Sequence, residues 1–185
     1  IRDRTYTLTY TYNGATGGNS TVSSSFTTEG TAITLPSPTR TGYNFGGWFS
    51  DAAFTTSVTG TQTPSANATL HAKWNNGIYT LTYNYNGATA GNGTAADSFT
   101  TGGTAITLPS PTRTGYNFGG WYAEAGLTTL VSGAQSPTAS GTLFAKWDAG
   151  TYTLTYTYNG ATGGNSTVSS SFTTGGTAIT LPSPT

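Results

Sequence analysis

The side chains that could do acid–base or metal chemistry are few in this chain, and the histidine and most of the carboxylates do not recur when the chain repeats. His71 is the single histidine, and the matching position in the next copy of the repeat holds Phe144. Asp97 likewise matches Ser24 and Ser170. General acid–base catalysis and metal binding both need a fixed set of such groups. We therefore predict no catalytic residue, no metal site and no cofactor.

That comparison depends on a sequence repeat of fixed period. Tyr6, Tyr79 and Tyr152 occupy equivalent positions in three successive copies. The copies have scarcely diverged, since residues 5–39 recur as residues 151–185 and the one difference is Glu29, which becomes Gly175. The chain is therefore an array of similar modules.

The period predicts three modules, which are residues 1–74, residues 75–147 and an incomplete module at residues 148–185. The incomplete module lacks the aromatic-rich half and cannot bury a core by itself. Our interpretation is a segment of a longer array, and the alternative is a module completed by another chain.

The composition excludes several classes of partner. Six basic and six acidic residues among 185 give no basic surface for nucleic acid or anionic lipid. There is no cysteine, so disulfides and thiolate metal sites are excluded. Thr and Tyr favour strands, whereas Gly and Asn favour turns. No apolar run is long enough to span a bilayer. We expect an extracellular or cell-surface protein with no direct membrane insertion in this segment and no nucleic-acid partner.

Alternating residues predict the first and last strands of each module. Tyr6 and Leu8 alternate with threonines, as expected for a strand with one buried face, and the Asn13-Gly14 turn ends this pattern. A weaker alternation predicts a second strand over 22–26, and Ile33 with Leu35 indicates a short third one. At the end of the module, Leu70, Ala72 and Trp74 share one face, with His71 and Lys73 on the other.

Aromatic residues form the densest cluster of each module. Gly46 and Gly47 precede Trp48, and paired glycines in a strand indicate a bulge that would re-aim that ring. We predict that the aromatic residues form the core, with a sugar-binding platform as the alternative. The predicted core residues are Tyr43, Phe45, Trp48, Trp74, Tyr116, Phe118, Trp121 and Trp147.

A second group of residues surrounds the tip of the first hairpin. We expect its tyrosines to be exposed, which makes this group the candidate binding surface for a glycan or a surface protein. The group consists of Tyr10, Tyr12 and Asn13 in the first module and Tyr83, Tyr85 and Asn86 in the second.

Three charged positions recur between the first two modules. They are Arg40 with Arg113, Asp51 with Glu124, and Lys73 with Lys146. We interpret them as an arginine–carboxylate pair beside a turn and a surface lysine. The alternatives are a recurrent recognition site or an intramolecular crosslink between a lysine and a carboxamide. The crosslink requires a buried lysine, whereas Lys73 lies on the predicted polar face.

The longer motifs resemble a known family. LPSPTRTGYNFGGW occurs at residues 35–48 and again at 108–121, and each copy is followed by LHAKW or LFAKW about 25 residues later. With the opening YTLTYTYNGA, these motifs resemble the Listeria-Bacteroides repeat, also called the internalin B-type B repeat. The resemblance implies a small β-rich module with a β-grasp-like arrangement, found in tandem in bacterial surface and secreted proteins. It does not imply an enzyme.

The expected fold is all-β, or β-rich α+β, with tandem β-grasp-like modules in an elongated array. Only residues 75–78 separate one module from the next, so the neighbouring modules of the chain are the expected partners. We predict a non-catalytic stalk or fibre shaft of a bacterial surface protein. The alternatives are an adhesive module that binds a glycan or a surface protein, and a filament subunit that pairs with other copies of itself.

Overall fold

The structure is a computed structural model that describes residues 3–163, 167–183 and 185. Strands are the only regular secondary structure of these residues, which confirms the β-rich fold class. The first repeat contains β1 (Thr5–Thr11), β2 (Ser23–Thr27), β3 (Tyr43–Phe49), β4 (Ser57–Val58) and β5 (Ala68–Asn76). The second contains β6 (Ile78–Asn84), β7 (Ala96–Thr100), β8 (Tyr116–Tyr122), β9 (Leu130–Val131) and β10 (Gly141–Ala149). The third contains β11 (Thr151–Thr155) and β12 (Ser169–Thr173).

The first repeat forms a mixed five-stranded sheet in the order β2-β1-β5-β3-β4. β1 pairs antiparallel with β2 and parallel with β5, so the two ends of the repeat meet in the middle of the sheet. Alternate residues of β1 face the core, where Leu8 and Tyr10 are 3% and 5% exposed. Leu70 and Ala72 of β5 complete that buried face, as their alternation predicts.

The second repeat forms an equivalent sheet in the order β7-β6-β10-β8-β9, with β6 parallel to β10. Among its described residues, the third repeat forms the two-stranded sheet β11-β12 and no larger one. This hairpin has the register of β1-β2, since Thr151 faces Thr173 as Thr5 faces Thr27. The local sequence therefore produces the same strand pairing in both places.

The paired glycines of β3 produce the predicted bulge. The register between β3 and β5 shifts between Phe45 and Trp48, and Gly47 has a φ of 99°, which favours glycine. The bulge turns Trp48 into the core, where it is 2% exposed.

One prediction about the middle of the repeat was wrong. Ile33 forms an isolated bridge to Gln62 instead of belonging to a third strand. Pro36 and Pro38 follow closely and cannot donate to a ladder, so the pairing does not extend. The predicted second strand is present, beginning one residue later than the alternation indicates, at Ser23, and Val22 before it is 69% exposed.

The chain divides into two compact units whose bounds differ from the sequence period. The first unit contains residues 1–79, 98–104 and 136–140. The second contains residues 80–97, 105–135 and 141–185. The first unit thus contains the first repeat together with two segments that the sequence period assigns to the second repeat.

Candidate functional site

Each full repeat contains an aromatic cluster between the bulged strand and the first strand. In the first repeat, the ring centroids of Tyr10 and Tyr12 lie 5.1 and 5.3 Å from that of Trp48. Phe45 lies 5.8 Å from Trp48 and 5.3 Å from Trp74, so the rings form one continuous cluster. Tilted and edge-on contacts at these separations stabilise a core beyond simple burial.

Both indole N–H groups of the first cluster donate to backbone carbonyls of the same repeat. Trp48 Nε1 donates to the Pro36 oxygen at 2.8 Å, and Trp74 Nε1 donates to the Tyr12 oxygen at 2.9 Å. In the second repeat, Trp121 and Trp147 make the same two bonds, to Pro109 and Tyr85. The polar edge of each indole is therefore used inside its own repeat.

The eight predicted core residues differ in their burial. Trp48 and Trp121 are buried, each 2% exposed. The other six are half-buried, namely Tyr43, Phe45, Trp74, Tyr116, Phe118 and Trp147.

The prediction that Tyr10 and Tyr83 are exposed was wrong. They are 5% and 6% exposed, because they lie two residues after a core leucine on the same face of the strand. Tyr12 and Tyr85 are half-buried. The Tyr85 hydroxyl donates to the Thr94 carbonyl at 2.7 Å, within the same hairpin.

Asn13 and Asn86 lie at the hairpin turns, and their amide groups bind the closing strand. Asn13 Nδ2 donates to the Ala72 oxygen at 2.8 Å, and Asn86 Nδ2 donates to the Ala145 oxygen at 2.6 Å. Their φ angles of 50° and 48° lie in the left-handed region that asparagine tolerates. Each asparagine therefore connects the hairpin turn to the last strand of its repeat.

Arg40 and Asp51 do not act as the arginine–carboxylate pair that the sequence predicts. The Arg40 guanidinium carbon lies 3.9 Å from the centre of the Tyr43 ring, and its Nη1 donates to the Asn13 oxygen at 3.2 Å. Asp51 instead accepts the backbone N–H groups of Thr55 and Thr56. These backbone hydrogen bonds lower the Asp51 pKa from its ordinary value.

The second repeat repeats this arrangement. Arg113 lies 4.1 Å from the centre of the Tyr116 ring. Glu124 accepts from the hydroxyl of Thr128 and the N–H groups of Thr128 and Thr129, and these bonds lower its pKa. The recurrent arginine and carboxylate therefore each stabilise a separate local turn.

The recurrent lysines and the histidine lie on the closing strands. Lys73 is half-buried, with its ammonium nitrogen 5.2 Å from the centre of the Phe49 ring. Lys146 Nζ lies 3.3 Å from Asp148, which raises the lysine pKa. His71 is half-buried and lies opposite Phe49 across the strand pair.

Tyr83 has a polar partner that sequence comparison did not indicate. Its hydroxyl donates to the Asp97 carboxylate at 2.7 Å, where Tyr10 donates to Ser24 at 3.0 Å. Burial, followed by the bond to Asp97, raises the Tyr83 pKa well above its ordinary value. The acid that does not recur is therefore a hydrogen-bond acceptor for a core tyrosine.

An open cavity that no sequence pattern indicated lies beside the second aromatic cluster. It has a volume of about 390 Å³, and Leu108, Pro109, Phe118, Trp121 and Val131 are among its lining residues. No three acidic or histidine side chains of the described residues come together as a metal site would require. Within the same residues, no helix is both long and apolar enough to cross a membrane.

Three structural features recur from the first repeat to the second, namely the sheet order, the bulged aromatic strand and the closing strand. Two matches to one family model have the same spacing. The model of the Listeria-Bacteroides repeat domain matches residues 6–73 and again residues 79–146. The chain belongs to the Listeria-Bacteroides repeat family. The first match begins and ends inside the strands that pair in parallel at the centre of the first sheet, β1 and β5. A complete Listeria-Bacteroides repeat therefore contains both halves of that pairing.

Two curated proteins of Evansella cellulosilytica are similar to this Listeria-Bacteroides repeat chain. One, named "Putative membrane protein", is 32% identical over 179 residues, which cover 95% of this chain and 26% of the relative. The other, named "Putative Gly-rich membrane protein", is 34% identical over 156 residues, which cover 82% of this chain and 18% of the relative. The chain thus spans about a quarter or less of these relatives. No solved structure matches the chain significantly.

Proposed function

We propose that this chain is a non-catalytic part of a bacterial surface protein, in which tandem repeats act as a stalk or fibre shaft. The observation that carries the proposal is the spacing between consecutive repeats. Gly77 alone separates β5 from β6, and Gly150 alone separates β10 from β11. A one-residue connection leaves little freedom between the strands that it joins. The names of the two relatives support a place at the cell envelope.

The internal use of the recurrent side chains also supports a structural role. The indole nitrogens, the turn asparagines and the recurrent carboxylates all make hydrogen bonds within their own repeats. Groups that stabilise each repeat in this way are better explained by folding than by recognition of a ligand.

Small-angle scattering of the whole chain tests the stalk. A compact chain of 185 residues has a radius of gyration of about 16 Å. We expect the measured radius to exceed roughly 20 Å, because the repeats would lie in series. A value near that of a compact chain would reject the stalk.

Self-association along edge strands is a second candidate function. β2 lies at the edge of the first sheet, and its sequence, SSSFT, carries no charge. Uncharged edge strands can pair with other chains. Electron microscopy of the purified chain would show ordered polymers without any added partner, and a monodisperse monomer at high concentration would contradict this candidate.

Adhesion remains the alternative to both structural roles. Tyr12 and Asn13 stay the candidate binding residues of the first repeat, with Tyr85 and Asn86 in the second. A glycan array that gave reproducible signals, lost on Tyr12→Ala together with Tyr85→Ala, would favour adhesion.

A further inference from the structure

Two buried glycines and a threonine form a group that spans the boundary between sequence repeats. Gly77 N donates to the Gly42 oxygen at 3.1 Å, and Thr101 N donates to the Gly77 oxygen at 2.9 Å. The Thr101 hydroxyl donates to the Gly42 oxygen and also lies 3.3 Å from the Gly77 oxygen. All three residues belong to the first compact unit. We call this group the junction clasp.

The same arrangement recurs at the equivalent positions one repeat later. Gly150 N donates to the Gly115 oxygen at 2.9 Å, and Thr174 N donates to the Gly150 oxygen at 3.0 Å. The Thr174 hydroxyl again donates to the Gly115 oxygen. These residues all belong to the second compact unit. A hydrogen-bond group that recurs with its donors and acceptors unchanged is a regular feature of the repeat.

Glycine suits the clasp at both positions for different reasons. Gly42 has a φ of 81°, in the left-handed region that favours glycine, whereas an added Cβ there would make only ordinary contacts, 3.5 Å from Thr101 and 3.6 Å from Thr138. A Cβ on Gly77 would come within 2.6 Å of the Tyr79 ring, so that ring would have to move. Gly42 therefore supplies the backbone conformation of the clasp, and Gly77 leaves the space that the Tyr79 ring fills.

The first repeat contains the same threonine without a clasp. Thr28 is exposed, whereas Thr101 is half-buried. The Thr28 hydroxyl and the Thr28 N–H both donate to the Arg4 oxygen at 3.1 Å, and Arg4 occupies the position equivalent to Gly77. Beside Thr28 lies an open cavity of about 460 Å³, whose lining includes Tyr6, Phe26 and Pro64.

The counterparts of that cavity lining are grouped differently in the second repeat. The lining consists of Tyr6, Phe26, Thr28, Glu29, Gly30, Thr63, Pro64 and Ser65. The equivalent positions of the second repeat fall within residues 79, 99–103 and 136–138. All of them belong to the first compact unit, as Gly42 does. The surface that forms an open cavity in the first repeat is therefore, in the second repeat, the surface against which the turn containing Gly42 lies.

We propose that the junction clasp couples the stability of consecutive repeats, so that loss of structure in one repeat is transmitted to the next through Thr101. The proposal rests on the proposed structural role of the array. Buried carbonyls need donors, and Thr101 supplies one through its hydroxyl to the Gly42 turn of the preceding repeat and one through its N–H to Gly77 at the junction. In a linear array, the free energy of such nearest-neighbour contacts determines whether repeats unfold together or singly.

The test uses amide hydrogen exchange in the full chain. Leu8→Ala destabilises the first repeat. Exchange is measured at the Ile106 N–H, which donates a hydrogen bond to the Gln135 oxygen within the second repeat. Leu8→Ala should accelerate exchange at Ile106 by roughly tenfold, the scale of one or two hydrogen bonds. Adding Thr101→Val should reduce this response to less than about twofold, because the hydroxyl bond is lost. Thr28→Val is the matched control and should leave the tenfold response intact.

Three outcomes would overturn the proposal. They are no response at Ile106 to Leu8→Ala, an unchanged response in the Thr101→Val background, and an equal loss of response with Thr28→Val. Small-angle scattering of the Thr101→Val chain distinguishes failure of the coupling proposal from failure of the stalk proposal. A large radius of gyration without coupling would reject the clasp and retain the stalk, whereas a compact profile in the unmodified chain would reject the stalk.

Discussion

The first and third repeats contain the same hairpin in two different states of burial. β1 and β11 have identical sequences where they overlap, and both hairpins have the same register. Leu8 is 3% exposed, whereas its copy Leu154 is 41% exposed. Phe26 and Phe172 differ similarly, at 7% and 40%. The local sequence forms the hairpin, and burial of its apolar face requires β5 and the bulged strand β3.

Completing the third repeat should produce the largest effect. We expect that appending a copy of residues 40–77 after Thr185 will supply the missing strands. A two-stranded hairpin alone is marginal in water, so amide protection in β11 and β12 should rise by at least about a hundredfold. Hydrogen exchange with mass spectrometry measures this. An appended copy of the same residues in scrambled order is the control. Equal protection in both extended chains would contradict the role of β3 and β5.

Truncating the core leucine should distinguish the two hairpins. Leu8→Ala should cost about 2–5 kcal/mol of unfolding free energy, because the side chain is buried. Leu154→Ala should cost less than about 1 kcal/mol, because the copy already contacts water. Urea unfolding followed by tryptophan fluorescence reports the first value, and exchange in β11 reports the second. Similar costs at both positions would refute the comparison.

The turn asparagine should show a smaller difference of the same kind. Asn13→Ala loses the bond to the Ala72 oxygen and places alanine at a φ of 50°, so we expect a cost of about 2 kcal/mol. Asn13→Gly retains the backbone freedom and should cost only about 1 kcal/mol. Asn159→Gly in the third repeat has a similar φ of 49° and should be near neutral. Urea unfolding measures the first two variants. An equally large loss with Asn13→Gly and Asn13→Ala would show that the side-chain bond alone accounts for the effect.

The smallest predicted effect concerns pH and separates the second repeat from the first. The Tyr83 pKa is raised in the folded chain by burial and by its bond to Asp97. The folded state therefore holds its proton more tightly than the unfolded state does. Stability from this group is fully present below about pH 10, the ordinary tyrosine pKa, and is lost as pH rises through the higher folded value.

Asp97→Ser tests that pH dependence, since serine is the residue that the first repeat has at this position. Unfolding midpoints between about pH 8 and 11 should change less steeply with pH in this variant, because the tyrosine has lost one charged partner. Tyr10→Phe, at the copy in the first repeat, is the control for loss of a hydroxyl. An unchanged slope in Asp97→Ser would show that the carboxylate has no influence on the tyrosine.

Much of the fold could be read from periodicity because it depends on neighbours in sequence. The alternation around Leu8 and the glycines before Trp48 each predicted a local feature that the structure contains. The alternation also placed Tyr10 on the same face of β1 as Leu8, and the prediction of an exposed ring ignored it. What periodicity could not show is the residue that covers Tyr10, because Trp48 lies on a strand far along the chain.

The candidate site was less predictable than the fold for the same reason. Recurrence correctly marked Arg40 as a position that the repeat retains, but it could not show that the guanidinium stacks on Tyr43 and binds the turn at Asn13. The junction clasp also gave no local signal. Thr101 lies 59 residues after Gly42 and 24 residues after Gly77, so the three residues form a hydrogen-bonded group only in the folded chain.

The sequence by itself determined the repeat, the hairpins and the positions of the turns and the bulge, because each depends on backbone preferences and on alternation within a few residues. Only the tertiary structure decided whether the apolar face of each hairpin is buried, since burial depends on the parallel pairing of β1 with β5, the first and last strands of the repeat. The third repeat shows this directly. With the same sequence and the same register as β1-β2, its hairpin leaves Leu154 and Phe172 in contact with water.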